Sequence, residues 1–382
     1  MFRRTLLVAG LLGIVGFIPG AIPDPAVAQP AGAEPKELLP KTFTLQSDKV
    51  TLSEALQELS KQTGNTVVNR MKIDPTFALK CHGLPFWKAL DAIAAAAHGR
   101  VSLYQADGNI ALIAGPPRKA GELPRSDHGL FRTTVREVAN RLDLESGSHT
   151  CAIQLEVAWE PRLQPFLLET APTTILFSAD MNGKMAKEAL PSRGRVSVVG
   201  RNAILVDIRV PAPHRSAAAI AELKGSLVVT APSKMLTFTF GKLRPIRPKE
   251  PPDRQEQEGV SVRLTKVTRE TKPDRFNFEV TIDNPPGRPL FESHEGWAWM
   301  GNNAIWLEKS AGGAKQILLP SKADQQELER SAARAVVLYS FSQKGNPKVR
   351  FGELADWTLV YRTPGRIVEL TIPYEFKGVR LP

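Results

Sequence analysis

The chain has 382 residues, a formal net charge of +11 and a hydrophobic share of 42%. This composition is typical of a globular protein and argues against a disordered or membrane-spanning chain. Proline stands out, with 31 residues against a usual share of about 5%. Because proline favours strand edges, turns and linkers, the composition predicts a β-rich protein, and the length predicts two or three folded units.

Residues 1–28 have the pattern of a secretory signal peptide. Arg3 and Arg4 precede an apolar run over residues 6–18, and an A-x-A motif follows at residues 26–28. We therefore expect the mature protein to be exported to a periplasm or cell envelope. An uncleaved leader would be its only contact with the membrane, and the glycines and prolines in the run make it a poor span.

Residues 29–41 predict a linker, and residues 42–114 predict a small α+β domain. Thr51 stands three residues before Glu54, which is the spacing of a helix-capping box, and apolar residues then recur at helical spacing until Gly64. A second helical pattern, three short strand patterns and a closing hairpin complete the order β-α-β-β-α-β-β.

The run "FTLQSDKVTLSEALQELSKQTGNTVV", the helix "FWKALDAIAAAAHG" and the hairpin around Asp107-Gly108 together resemble the secretin and TonB short N-terminal (STN) domain family. In secretins and some TonB-dependent receptors, this domain docks other envelope proteins through strand edges and helix faces. The resemblance covers residues 42–114 and implies a docking fold without a catalytic residue. The pattern that follows is neither a receptor barrel nor a secretin pore, so those functions are not implied.

The remainder predicts two all-β antiparallel sandwiches in tandem. Residues 115–124 predict a linker, and residues 125–245 alternate strand patterns with turns rich in Pro, Gly, Asn and Ser. The proline-rich segment 246–257 predicts a second, extended linker. Residues 258–382 then repeat the strand pattern.

The two predicted sandwiches also resemble each other in sequence. "ELKGSLVVTAPSKMLTFTF", from Glu222, aligns with "ELADWTLVYRTPGRIVELTI", from Glu353, and the alignment matches Pro232 with Pro364. "FRTTVREV" likewise aligns with "VSVRLTKV". We interpret this as a tandem repeat, which is more typical of spacer and adhesion modules than of single-site enzymes.

The search for reaction chemistry predicts no catalytic residue, no cofactor and no metal site. The chain has no G-x-S-x-G, H-E-x-x-H, P-loop or C-x-x-C motif, and its six histidines are scattered. The nearest candidate is the stretch in which Glu292 and His294 precede Trp297 and Trp299. It is either a sugar-binding aromatic face or a loop and strand whose tryptophans pack in a core, and we favour the core.

Two further pairs of residues have alternative interpretations. Trp159 and Arg162 are either an exposed edge that grips a partner or the closed end of a sandwich, and we favour the closed end. Cys81 and Cys151 permit one disulfide in an oxidising compartment. Their apolar neighbours and their places in different predicted domains favour buried free thiols instead.

The sequence therefore predicts a non-enzymatic, exported cell-envelope protein that docks an envelope protein partner. Its basic charge leaves an anionic envelope polymer as a second kind of partner, whereas nucleic acid is not expected for an exported protein. One alternative is a carbohydrate-binding or wall-acting protein that uses the segment 292–299. Another is a periplasmic accessory subunit of a secretion or uptake assembly.

Overall fold

The structure is a computed structural model in which strands predominate. The described residues are 38–105, 108–115, 123–178, 187–189, 195–247, 249–271, 274–283, 303–311, 314–320, 325–331, 333–342, 351–365 and 367–382. They hold two α-helices and several separate sheets. The predicted β-rich, multi-sheet class is therefore confirmed.

The N-terminal domain has the predicted order of elements. These are β1 (Thr42–Thr51), α1 (Leu52–Thr63), β2 (Val67–Asn69), β3 (Thr76–Pro85), α2 (Phe86–Ala96), β4 (Gly99–Ser102) and β5 (Ile110–Ala114). The capping box is present, because the Thr51 hydroxyl accepts a hydrogen bond from the Glu54 amide at 3.2 Å and the Glu54 carboxylate accepts one from the Thr51 amide at 2.9 Å. Gly64 ends α1 in the left-handed conformation, with φ of 78°.

Two small sheets and the two helices enclose one core. β1 pairs with β3, and β5 lies between β2 and β4 in a second sheet. Leu52 and Leu59 of α1, Leu90 and Ile93 of α2, and Leu112 of β5 are all fully buried. β4 is therefore the outer strand of its sheet, with one edge turned away from β5.

The first sandwich follows directly. Its strands are β6 (Arg125–His128), β7 (Phe131–Leu142), β8 (His149–Trp159), β9 (Leu167–Phe177), β10 (Lys187–Ala189), β11 (Arg195–Ser197), β12 (Ala203–Pro211) and β13 (Ala219–Pro232). One sheet has the order β12-β8-β7-β6. In the facing sheet, β10 and β11 both pair with β9, which pairs with β13.

The chain then enters the second sandwich. Its strands are β14 (Met235–Phe240), β15 (Asp253–Gln257), β16 (Val260–Thr271), β17 (Asp274–Asp283), β18 (Ala304–Ala311), β19 (Ala314–Leu318), β20 (Gln325–Arg330), β21 (Arg334–Ser342) and β22 (Thr358–Pro364). The last strand of the chain is β23 (Ile367–Arg380). The two sheets have the orders β15-β16-β17-β21-β20 and β14-β22-β18-β19.

The two sandwiches exchange their last strands. β14 follows β13 along the chain but pairs with β22 of the second sandwich, and β23 follows β22 but pairs with β13 of the first. Pro232 and Pro364 lie at the two crossings. Since proline has no amide proton to donate to a ladder, both are suited to the point where the chain leaves one sheet for the other.

A glycine in β13 makes room for a contact across the exchanged pair. The hydroxyl groups of Thr173 in β9 and Tyr374 in β23 lie 2.8 Å apart, on either side of Gly225. A Cβ atom at position 225 would lie closer than 3.0 Å to both side chains. The exchanged strand is thus tied to its host sheet by a buried hydrogen bond that needs glycine at this position.

The two sandwiches share one strand order. β12-β8-β7-β6 corresponds to β21-β17-β16-β15, and β10-β9-β13-β23 corresponds to β19-β18-β22-β14. A bulge interrupts β7 between Val135 and Glu137, and another interrupts β16 between Leu264 and Lys266. The alignment of "FRTTVREV" with "VSVRLTKV" matches these two bulges, so the topology agrees with the predicted repeat.

Because of this strand exchange, the boundaries between the two sandwiches differ from those predicted from the sequence. The core of the first sandwich includes residues of β23, such as Leu370 and Phe376, and the core of the second begins at Leu236. Residues 246–257 are not the extended linker that the sequence predicted. Ile246 is buried and forms a β-bridge with Val267, and β15 lies within this segment. Alternating strand patterns do not reveal which sheet a strand joins, which is why the exchange was missed.

Candidate binding cleft between the N-terminal domain and the first sandwich

The N-terminal domain packs on the outer face of the sheet β12-β8-β7-β6. Ala158 of β8 and Ala203 of β12 belong to the hydrophobic core of the N-terminal domain. Trp87 of α2 is 2% exposed and donates a hydrogen bond from Nε1 to the Leu130 carbonyl at 3.1 Å. The Trp87 side chain is therefore occupied within the chain, where it fixes α2 against the first sandwich.

A buried polar cluster anchors the same interface. The Glu160 carboxylate accepts hydrogen bonds from Asn65 Nδ2 at 2.8 Å and from Arg162 Nε at 2.7 Å, and the Arg162 amide donates to Asn65 Oδ1 at 3.0 Å. Burial raises the pKa of Glu160, and the hydrogen bonds from Arg162 and Asn65 oppose that rise. This cluster joins the start of β2 to the end of β8 and holds the two domains in one orientation.

The cluster also places two residues that the sequence analysis singled out. Trp159 is fully buried in the core of the first sandwich. Arg162 has a side chain only 13% exposed, and it donates a second hydrogen bond to the Leu39 carbonyl at 2.6 Å. Both positions agree with the favoured interpretation of a closed sandwich end.

Beside this interface a cleft of about 350 Å³ remains open. One wall is α2, with Asp91 and Ala95, and another is β4 with the residues up to Tyr104. The floor is the outer face of the first sandwich, where Thr134 and Glu156 are directly paired between β7 and β8. A volume near the lower end of the range for ligand sites makes this cleft the candidate functional site.

One side of the cleft is held by a network around Asp91. Its carboxylate pairs with Arg125 at 3.2 Å and with Arg132 at 2.9 Å, and Arg132 also pairs with Asp127 at 2.7 Å. The Arg132 guanidinium lies 5.1 Å from the Trp87 ring centroid, a cation–π geometry. Burial by itself would lower the pKa of Arg132, but the two carboxylates outweigh burial and raise the pKa. Arg132 is thus a permanent, well-fixed cation.

The other side contains a buried carboxylate between an arginine and a tyrosine. Glu156 is 5% exposed, and one of its oxygens lies 3.0 Å from an Arg136 nitrogen. Tyr104 is 53% exposed and lines the cleft beside this carboxylate. Partial desolvation of its hydroxyl and the nearby negative charge of Glu156 raise the pKa of Tyr104 well above the ordinary phenol value, so Tyr104 stays a neutral phenol.

The charge of the cleft is positive. Four arginines line it, at positions 100, 125, 132 and 136, against Asp91 and Glu156 in the lining and Asp127, which pairs with Arg132, so the formal balance is +1. Arg100 of β4 is exposed, and within the described part of the chain it makes no ion pair. The cleft can therefore accept additional negative charge.

Sequence reasoning did not identify this cleft, although part of the signal was present. In a strand, alternate residues point to the same face, and Arg132 and Thr134 in "FRTTVREV" show this spacing. The bulge after Val135 then changes the register beside Arg136. Arg100 and Arg125 are distant in sequence, and only the packing of the N-terminal domain brings them to the same cleft.

The other residues singled out from the sequence lie elsewhere. Glu292, His294, Trp297 and Trp299 fall outside the described residues. Cys81 and Cys151 do not form the disulfide that an even count permits: both are buried free thiols. Cys81 lies in the core of the N-terminal domain and Cys151 in that of the first sandwich, so the sheets that hold them keep the two sulfurs in separate cores.

Two further surveys of the chain bear on its class. Among the residues that the structure describes, no group of three His, Cys, Asp or Glu side chains is placed to hold a metal ion. In the same residues, neither helix combines the length and the apolar character that crossing a bilayer requires.

No protein-family model matches the chain, and no curated protein matches it. The resemblance of residues 42–114 to the STN family accordingly stays a prediction from the sequence.

Proposed function

We propose that this protein is an exported, non-enzymatic docking protein of the cell envelope, and that it binds another envelope protein in the cleft between its N-terminal domain and its first sandwich. The leader over residues 1–28 supports export, and the STN-like pattern of residues 42–114 supports a docking role. The tandem sandwiches would act as a spacer that carries the docking unit.

The observation that carries this proposal is the open edge of β4 within a basic cleft. A strand at the edge of a sheet presents unpaired backbone donors and acceptors, which another chain can complete. Among the described residues, the sheet order β2-β5-β4 leaves one edge of β4 unpaired, and residues 99–104 line the cleft. Because α2 forms the opposite wall of the same cleft, a strand added to this edge would also contact α2.

The arrangement of charges in the cleft favours binding over catalysis. Asp91 is paired with two arginines and Glu156 with Arg136. These ion pairs engage the carboxylate oxygens that a general base would have to turn toward a substrate. The paired groups instead form a rigid charged surface of fixed shape.

Site-specific photo-crosslinking tests this proposal. A photoreactive amino acid replaces Ser102, at the end of β4, and in a matched control it replaces Leu144, which is 88% exposed in the turn between β7 and β8. Irradiation in envelope extract is expected to give a discrete protein adduct from position 102 and none from position 144. The absence of a protein adduct at 102, or the same adduct at both positions, would contradict the proposal.

A further inference from the structure

We infer that the ligand of this cleft is an acidic, extended segment of the partner protein, which adds to β4 as a further strand. This inference rests on the proposed function and specifies the chemistry of what is bound. It follows from three features of the cleft: its strand edge, its charge and its apolar lining.

The strand edge selects a polypeptide. β4 pairs with β5 from Gly99↔Ala114 to Ser102↔Ala111, and no other strand in the described part of the chain pairs with its opposite edge. The donors and acceptors along such an edge repeat at the spacing of a backbone, and an incoming extended peptide matches that spacing. An anionic polysaccharide or a lipid head group has no regular series of amide donors and cannot complete the ladder.

The charge selects acidic side chains. Arg100 lies on β4 itself, is exposed, and makes no ion pair among the described residues. The other three cleft arginines are already paired, with Asp91 or Glu156. A planar guanidinium binds a carboxylate through two parallel hydrogen bonds. Arg100 is therefore the residue that contributes most to recognition of an Asp or Glu on the added strand.

The apolar lining selects the residues between the acidic ones. Val101 and Leu103 are half-buried where they line the cleft and pack against the core of the N-terminal domain, while Ala95 of α2 is exposed on the opposite wall. Side chains of a strand alternate between its two faces. An added strand with acidic residues on one face and small apolar residues on the other fits both Arg100 and these walls.

A selection experiment on residues 29–382 tests the inference. Random octapeptides displayed on phage are selected against this chain, and a synthetic copy of the most enriched peptide is titrated by fluorescence anisotropy. Enrichment of Asp and Glu at alternate positions is expected. Hydrogen exchange of the β4 amides is expected to slow when the synthetic peptide binds, because an added strand protects the edge amides.

Three variants complete the test. Arg100→Glu is expected to weaken binding of the peptide by about tenfold or more, since a charge-assisted hydrogen bond is replaced by repulsion. Ala95→Trp is expected to weaken binding by filling the cleft. Lys88→Glu is the matched control, because Lys88 is exposed on α2 but does not line the cleft, and it should leave the affinity within about twofold.

The outcomes separate this inference from the proposed function. Selected peptides without acidic enrichment, equal losses in Arg100→Glu and Lys88→Glu, or slowed exchange away from β4 would each overturn the inference. So would heparin, a polyanion without a peptide backbone, if it bound as tightly as the peptide and displaced it. A protein adduct at position 102 that persists in Arg100→Glu would leave the proposed function standing and refute the acidic-strand recognition.

Discussion

The exchange of strands predicts that a change near the C-terminus will loosen the first sandwich and spare the second. Ile372 of β23 is 4% exposed and pairs with Leu227, which is fully buried in β13. It belongs to the core of the first sandwich, although it lies in the last eleven residues of the chain. Replacing Ile372 with alanine therefore removes apolar contacts from a core that is distant in sequence.

The expected size of the effect follows from burial. Truncating a buried isoleucine to alanine costs about 2 to 5 kcal/mol. When opening of the core limits amide exchange, the lower value corresponds to exchange about 30-fold faster. The core of the second sandwich, as far as the structure describes it, takes no residue from β23. Exchange there should remain close to that of the wild type.

Hydrogen-exchange mass spectrometry distinguishes the two cores. Peptides covering β8 report on the first core, and peptides covering β17 report on the second. Thr371→Ala is the control, because Thr371 is exposed on the same strand and its substitution should change stability by no more than about 0.5 kcal/mol. If Ile372→Ala accelerates exchange in β17 as much as in β8, the assignment of β23 to the first sandwich is refuted.

Three other predictions concern packing, pH dependence and thiol chemistry. Gly225→Ala should destabilise the protein by about 1 to 3 kcal/mol in urea unfolding, because the added methyl group crowds two buried hydroxyl groups. Gly241→Ala is the control and should have little effect, because the nearest atom lies 3.9 Å from the new Cβ. An equal loss of stability in both variants would contradict the packing argument. Burial raises the pKa of Glu160, so the folded state binds a proton on the Glu160 carboxylate more tightly than the unfolded state does. The free energy of unfolding of the wild type should then fall, relative to that of Glu160→Gln, as pH rises from the ordinary carboxyl range through the raised pKa of Glu160. If the difference in free energy of unfolding between the two proteins does not change with pH, the raised pKa is excluded. Burial also raises the pKa of the Cys81 and Cys151 thiols. Both thiols should therefore resist maleimide in the native protein and react with it after denaturation without reductant. If no thiol reacts after denaturation, the two cysteines form a disulfide and the prediction is wrong.

Local sequence patterns were sufficient for the elements of the N-terminal domain. Thr51 and Glu54 form the predicted capping box, Gly64 ends the first helix, and the elements occur in the predicted order. These features depend on neighbours within a few residues, so their physical causes are contained in a short window of sequence.

The sequence by itself determined the β-rich class, the two helices, the caps of the first helix, and the similarity of the two halves. Tertiary structure decided which sheet each strand joins, because the alternation of apolar and polar residues in β14 and β23 would suit either sandwich. It also decided that Trp87 is buried against the first sandwich and that Arg100 and Arg136 line the same cleft. These are choices between long-range pairings, and their free energies depend on the shapes of surfaces that exist only after the sheets have formed.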